Sequence, residues 1–196
     1  MKNLIYTVGL GLALCGTANA QRIYHSVEKT NGTKDVVSVM VPNGWAKVIS
    51  DKPGVAGKHL LVKADEVDQT VNNGMIFIQS VPVESFIPSS DNVVEHEKMM
   101  YASAGVIVSE TTRLATESDN TQVRIVNVTG GVDGQHQVIA YMPLPEGMVS
   151  VTLCTPFKQF LDEHIGDFES LVKSYKLNPH LSTPEVPLVT DLGELK

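Results

Sequence analysis

The residues able to do chemistry in this 196-residue chain are few and scattered. Six histidines, His25, His59, His96, His136, His164 and His180, show no H-x-x-x-H spacing. A zinc site needs three or four ligands converging tetrahedrally, and no local stretch supplies them. Glu95-His96-Glu97 is the densest cluster, yet successive helical positions diverge by ~100° per step, so the three side chains do not chelate one ion. Ser26-Val27-Glu28-Lys29 and Ser170-Leu171-Val172-Lys173 both match S-x-x-K. That chemistry requires a serine at a buried helix start, supported by S-D-N and K-T-G elements. One serine falls in an expected strand, the other late in an expected helix, and both supporting motifs are missing. Cys154 ends an apolar strand with no base beside it, which describes a core thiol better than a nucleophile.

The remaining motifs read the same way. Gly130 to Gly134 resembles an anion cradle in composition, but a strand follows instead of a helix N-terminus, and no P-loop lysine is present. Asn31-Gly32-Thr33 and Asn127-Val128-Thr129 are glycosylation sequons only in a eukaryotic source. The chain contains neither G-x-S-x-G nor H-E-x-x-H. Glu97 is the one oddity: it falls on the inner side of an expected helix, where an unpaired carboxylate costs several kcal/mol, so a place at the rim is expected. No catalytic, cofactor-binding or metal-binding residue is expected.

The elements that must position these residues centre on Met148 to Lys176. Met148 to Cys154 is β-branched and apolar, a buried strand. Thr155 is suited to cap a helix and Pro156 to open it. Phe157, Phe160, Leu161, Ile165, Phe168, Leu171, Val172 and Tyr175 then share one face of a 3.6-residue period. Lys158, Asp162, Glu163, Asp167, Glu169 and Lys173 occupy the other, and Asn178-Pro179 stops the run. Such an aromatic stripe predicts a helix lying across a sheet, each ring contributing roughly 1.5–3 kcal/mol on burial.

Residues 1–20 read as a signal peptide: Lys2, an apolar run from Leu4 to Cys15, and Ala18-Asn19-Ala20 as an A-x-A site. That run is shorter than the roughly 20 residues a spanning helix needs. Cleavage after Ala20 leaves a chain starting at Gln21, without a transmembrane segment. Removing Lys2 leaves 14 of the 15 basic residues against 22 acidic ones, a net of −8. This balance argues against nucleic acid or anionic lipid as partner. Cys154 alone survives processing, so no internal disulfide forms and packing must supply the stability. A periplasmic or secreted location is expected.

Along the chain, Ile23 to Thr30 and Thr33 to Val41 flank Asn31-Gly32 as a hairpin. Pro42-Asn43-Gly44-Trp45 then delivers the only tryptophan to the core. His59 to Lys63 and Met75 to Val83 are further strands. A helix from about Asp91 to Ala104 turns Val93, Val94, Glu97, Met100, Tyr101 and Ala104 inward, and Gly105 ends it. Val106 to Ala115, Gln122 to Thr129 and Gln135 to Met142 form a meander with turns at 118–120 and 130–134. The order is four strands, helix, four strands, helix, which predicts a single α+β domain over 21–177. Its mostly antiparallel twisted sheet is covered by two amphipathic helices, and 178–196 form a flexible tail.

This layout resembles the PsbP-like fold, and in particular the small exported bacterial proteins of the DcrB type. The resemblance rests on Val39-Met40-Val41-Pro42-Asn43-Gly44-Trp45, on the helix after Ser89-Ser90, and on Val149-Ser150-Val151-Thr152-Leu153 followed by Phe160, Phe168 and Ser174-Tyr175. It spans roughly Val27 to Leu177. It implies a helix-covered antiparallel sheet and a binding or accessory role without catalysis; members serve as photosystem extrinsic subunits, envelope proteins, and chaperones or adaptors of secreted effectors. No catalytic residue, metal or photosystem role carries over. The expected function is therefore an exported, non-catalytic envelope protein that binds another envelope protein or a small apolar ligand. An immunity protein that masks an envelope-targeted toxin with its acidic surface is the alternative, and an uncharacterised hydrolase a second one.

Overall fold

The computed structural model describes residues 21–29, 34–48, 59–67, 73–81, 90–130, 134–145 and 147–178. The expected leader, the Asn31-Gly32 turn and the tail beyond Asn178 lie outside them. Its strands are β1 (Arg22–Glu28), β2 (Lys34–Met40), β3 (Trp45–Val48), β4 (His59–Lys63), β5 (Met75–Val81), β6 (Ile107–Ala115), β7 (Gln122–Thr129), β8 (His136–Leu144), β9 (Gly147–Thr155) and β10 (Lys176–Leu177). Two α-helices, α1 (Ser90–Ser103) and α2 (Lys158–Lys173), follow β5 and β9, and a 3-10 turn at Ala64–Glu66 follows β4. The architecture is α+β, and every strand pairing among the described residues is antiparallel.

The strands form two sheets. Seven run in the order β3-β4-β5-β9-β8-β7-β6, and β1-β2-β10 make a separate three-stranded sheet. The apolar strand β9 is thus the middle of the large sheet, paired with β5 on one side and β8 on the other. Strands buried on both faces lose the polar alternation of a half-exposed strand, which is why Met148 to Leu153 is buried throughout.

Each face of the large sheet has its own core. On one face Leu61, Ile76, Ile78, Val123, Ile125, Val138, Ala140, Val149, Val151 and Leu153 meet Ile23, Val27, Val37 and Val39 of the small sheet, and Phe160, Phe168, Leu171 and Val172 of α2. On the other face Val126, Val128, Ile139, Tyr141 and Met148 meet Val94 of α1, with Tyr101 half-buried beside it.

Local chemistry sets the element ends. Gly105 has φ +73° and closes α1 with a Schellman-type pair, Gly105 N–H donating to Ala102 C=O at 3.1 Å and Val106 N–H to Tyr101 C=O at 3.0 Å. The Thr155 hydroxyl accepts from Phe157 N–H at 3.0 Å and donates to Asn73 C=O at 2.5 Å. It therefore braces the bend before α2 without capping the helix, which begins only at Lys158.

Several sequence expectations are corrected. Phe157 precedes α2 and is 51% exposed, so it drops out of the stripe. Tyr175 follows the helix yet stays buried, carried inward by the turn into β10. Two short strands, β3 and β10, are too brief to carry a period of their own. Asn178 belongs to the domain and not to the tail, since its N–H donates to Val36 C=O at 2.8 Å and its amide to Ser38 Oγ at 2.9 Å. Met100 and Ala104 face solvent, whereas Val94, Glu97 and Tyr101 of α1 turn toward the sheet. Trp45 lies in the core as expected, its Nε1 donating to Asp167 Oδ2 at 2.9 Å.

Candidate functional site

Pairing register sets polar residues of four strands in a row on the α1 face of the large sheet. Gln79 of β5 faces Ser150 of β9, which faces Tyr141 of β8, which faces Arg124 of β7. The next row holds Phe77, Thr152 and Ile139, and the one beyond it pairs Cys154 with Gln137. Because side chains alternate with period two, the β9 residues between these polar positions, Val149, Val151 and Leu153, point into the opposite core.

α1 crosses over these rows and leaves an open cleft of about 250 Å³. Glu97 and Tyr101 line it from the helix, and Gln79, Ser150, Thr152, Gln137, Tyr141, Phe77 and Ile139 from the sheet. Three oxygens in it, Glu97 Oε2, Tyr141 Oη and Ser150 Oγ, are buried without any hydrogen-bond partner among the described residues. Native structures seldom leave buried polar atoms unsatisfied, and an unmade bond there costs roughly 1–3 kcal/mol. Three in one cleft mark a place prepared for something polar. Burial lifts the Glu97 carboxyl from 4.5 to about 7. Burial first, then Glu97 and Cys154, raises the Tyr101 phenol.

Arg124 fixes α1 in this position. Its guanidinium grips Glu110 bidentately at 2.8 and 2.7 Å and reaches Asp91 at 2.9 Å and Glu95 at 3.3 Å on the helix. Lys98 closes the ring on Glu95 and Glu110 at 2.9 and 3.1 Å. Bonds from Arg124 and Lys98 hold the Glu110 carboxyl down at about 2.

A larger cleft of about 460 Å³ lies on the opposite face between α2 and β6–β8. Its cation and one of its carboxylates, Lys158 and Asp162, pair with each other at 2.6 Å, so it shows no comparable unmet demand.

The residues singled out in the sequence disperse. Glu95 turns to Arg124 and Lys98 while Glu97 turns into the cleft, so that cluster does not converge. His25 and His59 meet edge to face at 5.2 Å, and His25 Nε2 lies 2.9 Å from Ser80 Oγ. Burial, with His59 adding to it, lowers His25 to about 4. His164 packs edge to face with Trp45 and lies 3.0 Å from Asp167. Ser26 and Ser170 are exposed. Cys154 Sγ donates to Gln135 Oε1 at 3.1 Å, and burial pushes its thiol up to about 11. Gly130 and Gly134 take positive φ, and the residues between them lie outside the described ones. Glu97 is only partly at the rim expected from sequence: the residue is half-buried, but its Oε2 is buried within the cleft. Sequence reasoning misses Ser150, Tyr141, Thr152 and Gln79 altogether. Their signal is present as polar residues two apart within strands otherwise apolar enough to be buried.

No helix among the described residues is long and apolar enough to cross a membrane. No protein-family model and no curated protein matches the chain. Among solved structures it is similar to cyanobacterial PsbP (CyanoP) from Synechocystis sp. PCC 6803, at 15% identity over 86% of this chain and 98% of that one, with a TM-score of 0.49. It is also similar to the Ran-binding protein Mog1p of Saccharomyces cerevisiae, at 11% identity over 80% of this chain and 96% of that one, with a TM-score of 0.47.

Proposed function

We propose that this chain is an exported, non-catalytic accessory protein of a bacterial envelope, processed after Ala20, that binds a small polar ligand in the cleft beneath α1. The observation that carries the binding reading is the set of three buried oxygens without a partner among the described residues, Tyr141 Oη and Ser150 Oγ on the sheet floor and Glu97 Oε2 on the helix above it. The polar lining favours a polar ligand over the apolar one expected from sequence. Catalysis is disfavoured because, among the described residues, the lining offers Ser150 neither histidine nor lysine, and outside the lining Cys154 is held as a thiol. The leader pattern and the resemblance to DcrB-type exported proteins support the envelope location.

Two measurements test this. Mass spectrometry of protein recovered from the producing cell's envelope should show a chain starting at Gln21; an intact Met1 chain in the cytosol contradicts export. Backbone amide NMR titration with small cationic, neutral and anionic compounds should move α1, β8 and β9 resonances for at least one class. Silence of that region in all three removes the binding site.

A protein-binding role, including toxin immunity, is the second reading. It is favoured by the exposure of Met99, Met100 and Ile107 along α1 and the start of β6 on an acidic chain. Unchanged survival of a deletion strain under toxin challenge would dispose of the immunity form.

A further inference from the structure

The three unsatisfied atoms in the cleft describe their ligand. Glu97 Oε2, Tyr141 Oη and Ser150 Oγ can all accept a hydrogen bond, and one belongs to a carboxylate. Tyr141 and Ser150 are 1% and 2% exposed, so their side chains are fixed within the packed sheet. Among the described residues, the lining contains no lysine, arginine or histidine to answer Glu97. The nearest cation in the row, Arg124, is engaged by Glu110, Asp91 and Glu95. The two hydroxyls can donate as well as accept, but the carboxylate only accepts when ionised, and a positive charge with several N–H donors would answer it together with the hydroxyl oxygens. A primary ammonium has three N–H donors and no acceptor. Tyr101, Tyr141 and Phe77 add aromatic surface of the kind that attracts cations. The volume, about 250 Å³, falls below the ~300–1,000 Å³ of pockets for drug-sized ligands.

We propose that the cleft beneath α1 is a site for a small free primary amine, its ammonium group turned to Glu97, Tyr141 and Ser150 and its short hydrocarbon chain to Phe77 and Ile139. This rests on the reading of the cleft as a small-ligand site and names the ligand's class. Occupancy by such a cation favours the ionised carboxylate, so affinity depends on pH. The titratable groups lining the cleft with Glu97 are Tyr101 on its own helix and Tyr141 on the sheet, and Cys154 lies near enough to Tyr101 to act on its phenol. Phenols and thiols ionise at alkaline pH, which leaves Glu97 as the group that titrates between pH 5 and 8.

The test is an amide NMR titration of the full purified protein with n-butylamine, n-butanol and Nα-acetyl-lysine amide, at pH 8 and pH 5.5. Expected is saturable binding of n-butylamine that shifts α1, β8 and β9, at least tenfold tighter than n-butanol at pH 8. That affinity should fall on the order of tenfold at pH 5.5 as Glu97 takes up a proton. Glu97→Gln should erase the preference for amine over alcohol, and Tyr141→Phe should weaken amine binding while leaving the fold's amide spectrum in place. Equal binding of amine and alcohol overturns the ammonium assignment yet keeps the cleft as a ligand site. Binding of the lysine derivative without n-butylamine overturns the free-amine source in favour of a protein side chain. Absence of binding by all three removes both readings and leaves a hydrated cleft.

Discussion

Replacing Arg124 tests how the helix above the cleft is held. The Arg124 side chain is 8% exposed, and its guanidinium donates five hydrogen bonds to β6 and α1. Breaking a fully buried ion pair costs about 3–5 kcal/mol. Here the partners are wetter, with side-chain exposures of 29% for Glu110, 60% for Glu95 and 65% for Asp91. Solvent screening discounts the two helical contacts heavily. The bidentate grip on Glu110 remains, as a charge-assisted pair contributing about 1.5–3 kcal/mol. Arg124→Met keeps much of the volume and removes the charge, and should cost about 2 kcal/mol in urea unfolding at pH 7. Arg124→Lys should recover only part, since an ammonium cannot grip both carboxylate oxygens. Because α1 loses its tether, its amides should exchange faster by a larger factor than those of α2. The pH dependence has a definite sign. Glu110 is lowered from 4.5 to about 2 in the folded protein, so its contribution is present above pH 4.5 and lost as pH falls toward 2. In Arg124→Met that acid slope should flatten. Unchanged stability and unchanged α1 exchange in Arg124→Met would refute this account of how the helix is fixed.

Glu97→Gln should stabilise the ligand-free protein by about 1–2 kcal/mol at pH 8 and leave it unchanged at pH 4, because a carboxyl raised to about 7 favours the fold below 4.5 and loses that advantage as pH rises through 7; urea midpoints at the two pH values read it. His25, lowered from 6.5 to about 4, should make the wild type lose about 1–3 kcal/mol of stability as pH falls from 6.5 to 4, because the unfolded chain takes up the proton first. His25→Phe should lack that portion of the slope in thermal unfolding. Gly74→Ala drives a Cβ into the edge of the Phe160 ring, against Cδ1, Cε1 and Cζ, and that ring is held edge to face against Trp45. It should cost about 1–3 kcal/mol by overpacking and alter the fluorescence of the only tryptophan.

How much of the molecule is legible in the sequence depends on range. β9 and α2 declare themselves because an apolar β-branched run and an aromatic stripe are local patterns, and both are central to the fold. That β1 and β2 pair antiparallel as sequence neighbours is readable for the same reason, although the turn between them lies outside the described residues. That β1 and β2 leave the main sheet and recruit Lys176–Leu177 is not readable, since a two-residue strand has no period and its partner lies far away along the chain. The cleft is half legible. Ser150, Thr152 and Cys154 alternate with Val149, Val151 and Leu153, so a polar face on β9 is written in the sequence. Which residues of β5 and β8 stand beside it depends on register, and register is set by tertiary pairing. Glu97 reads as misplaced in the sequence, and desolvation cost alone assigns it to the rim. The orientation of α1, with Met100 turned outward, is what draws it in.

The most direct measurement of the central claim, an unanswered carboxylate held over the sheet by α1, is a carbon-detected NMR titration of the Glu97 side-chain carboxyl in ligand-free protein. The structure predicts a midpoint near 7, falling when n-butylamine saturates the cleft. A midpoint at the ordinary 4.5, indifferent to the amine, would contradict it.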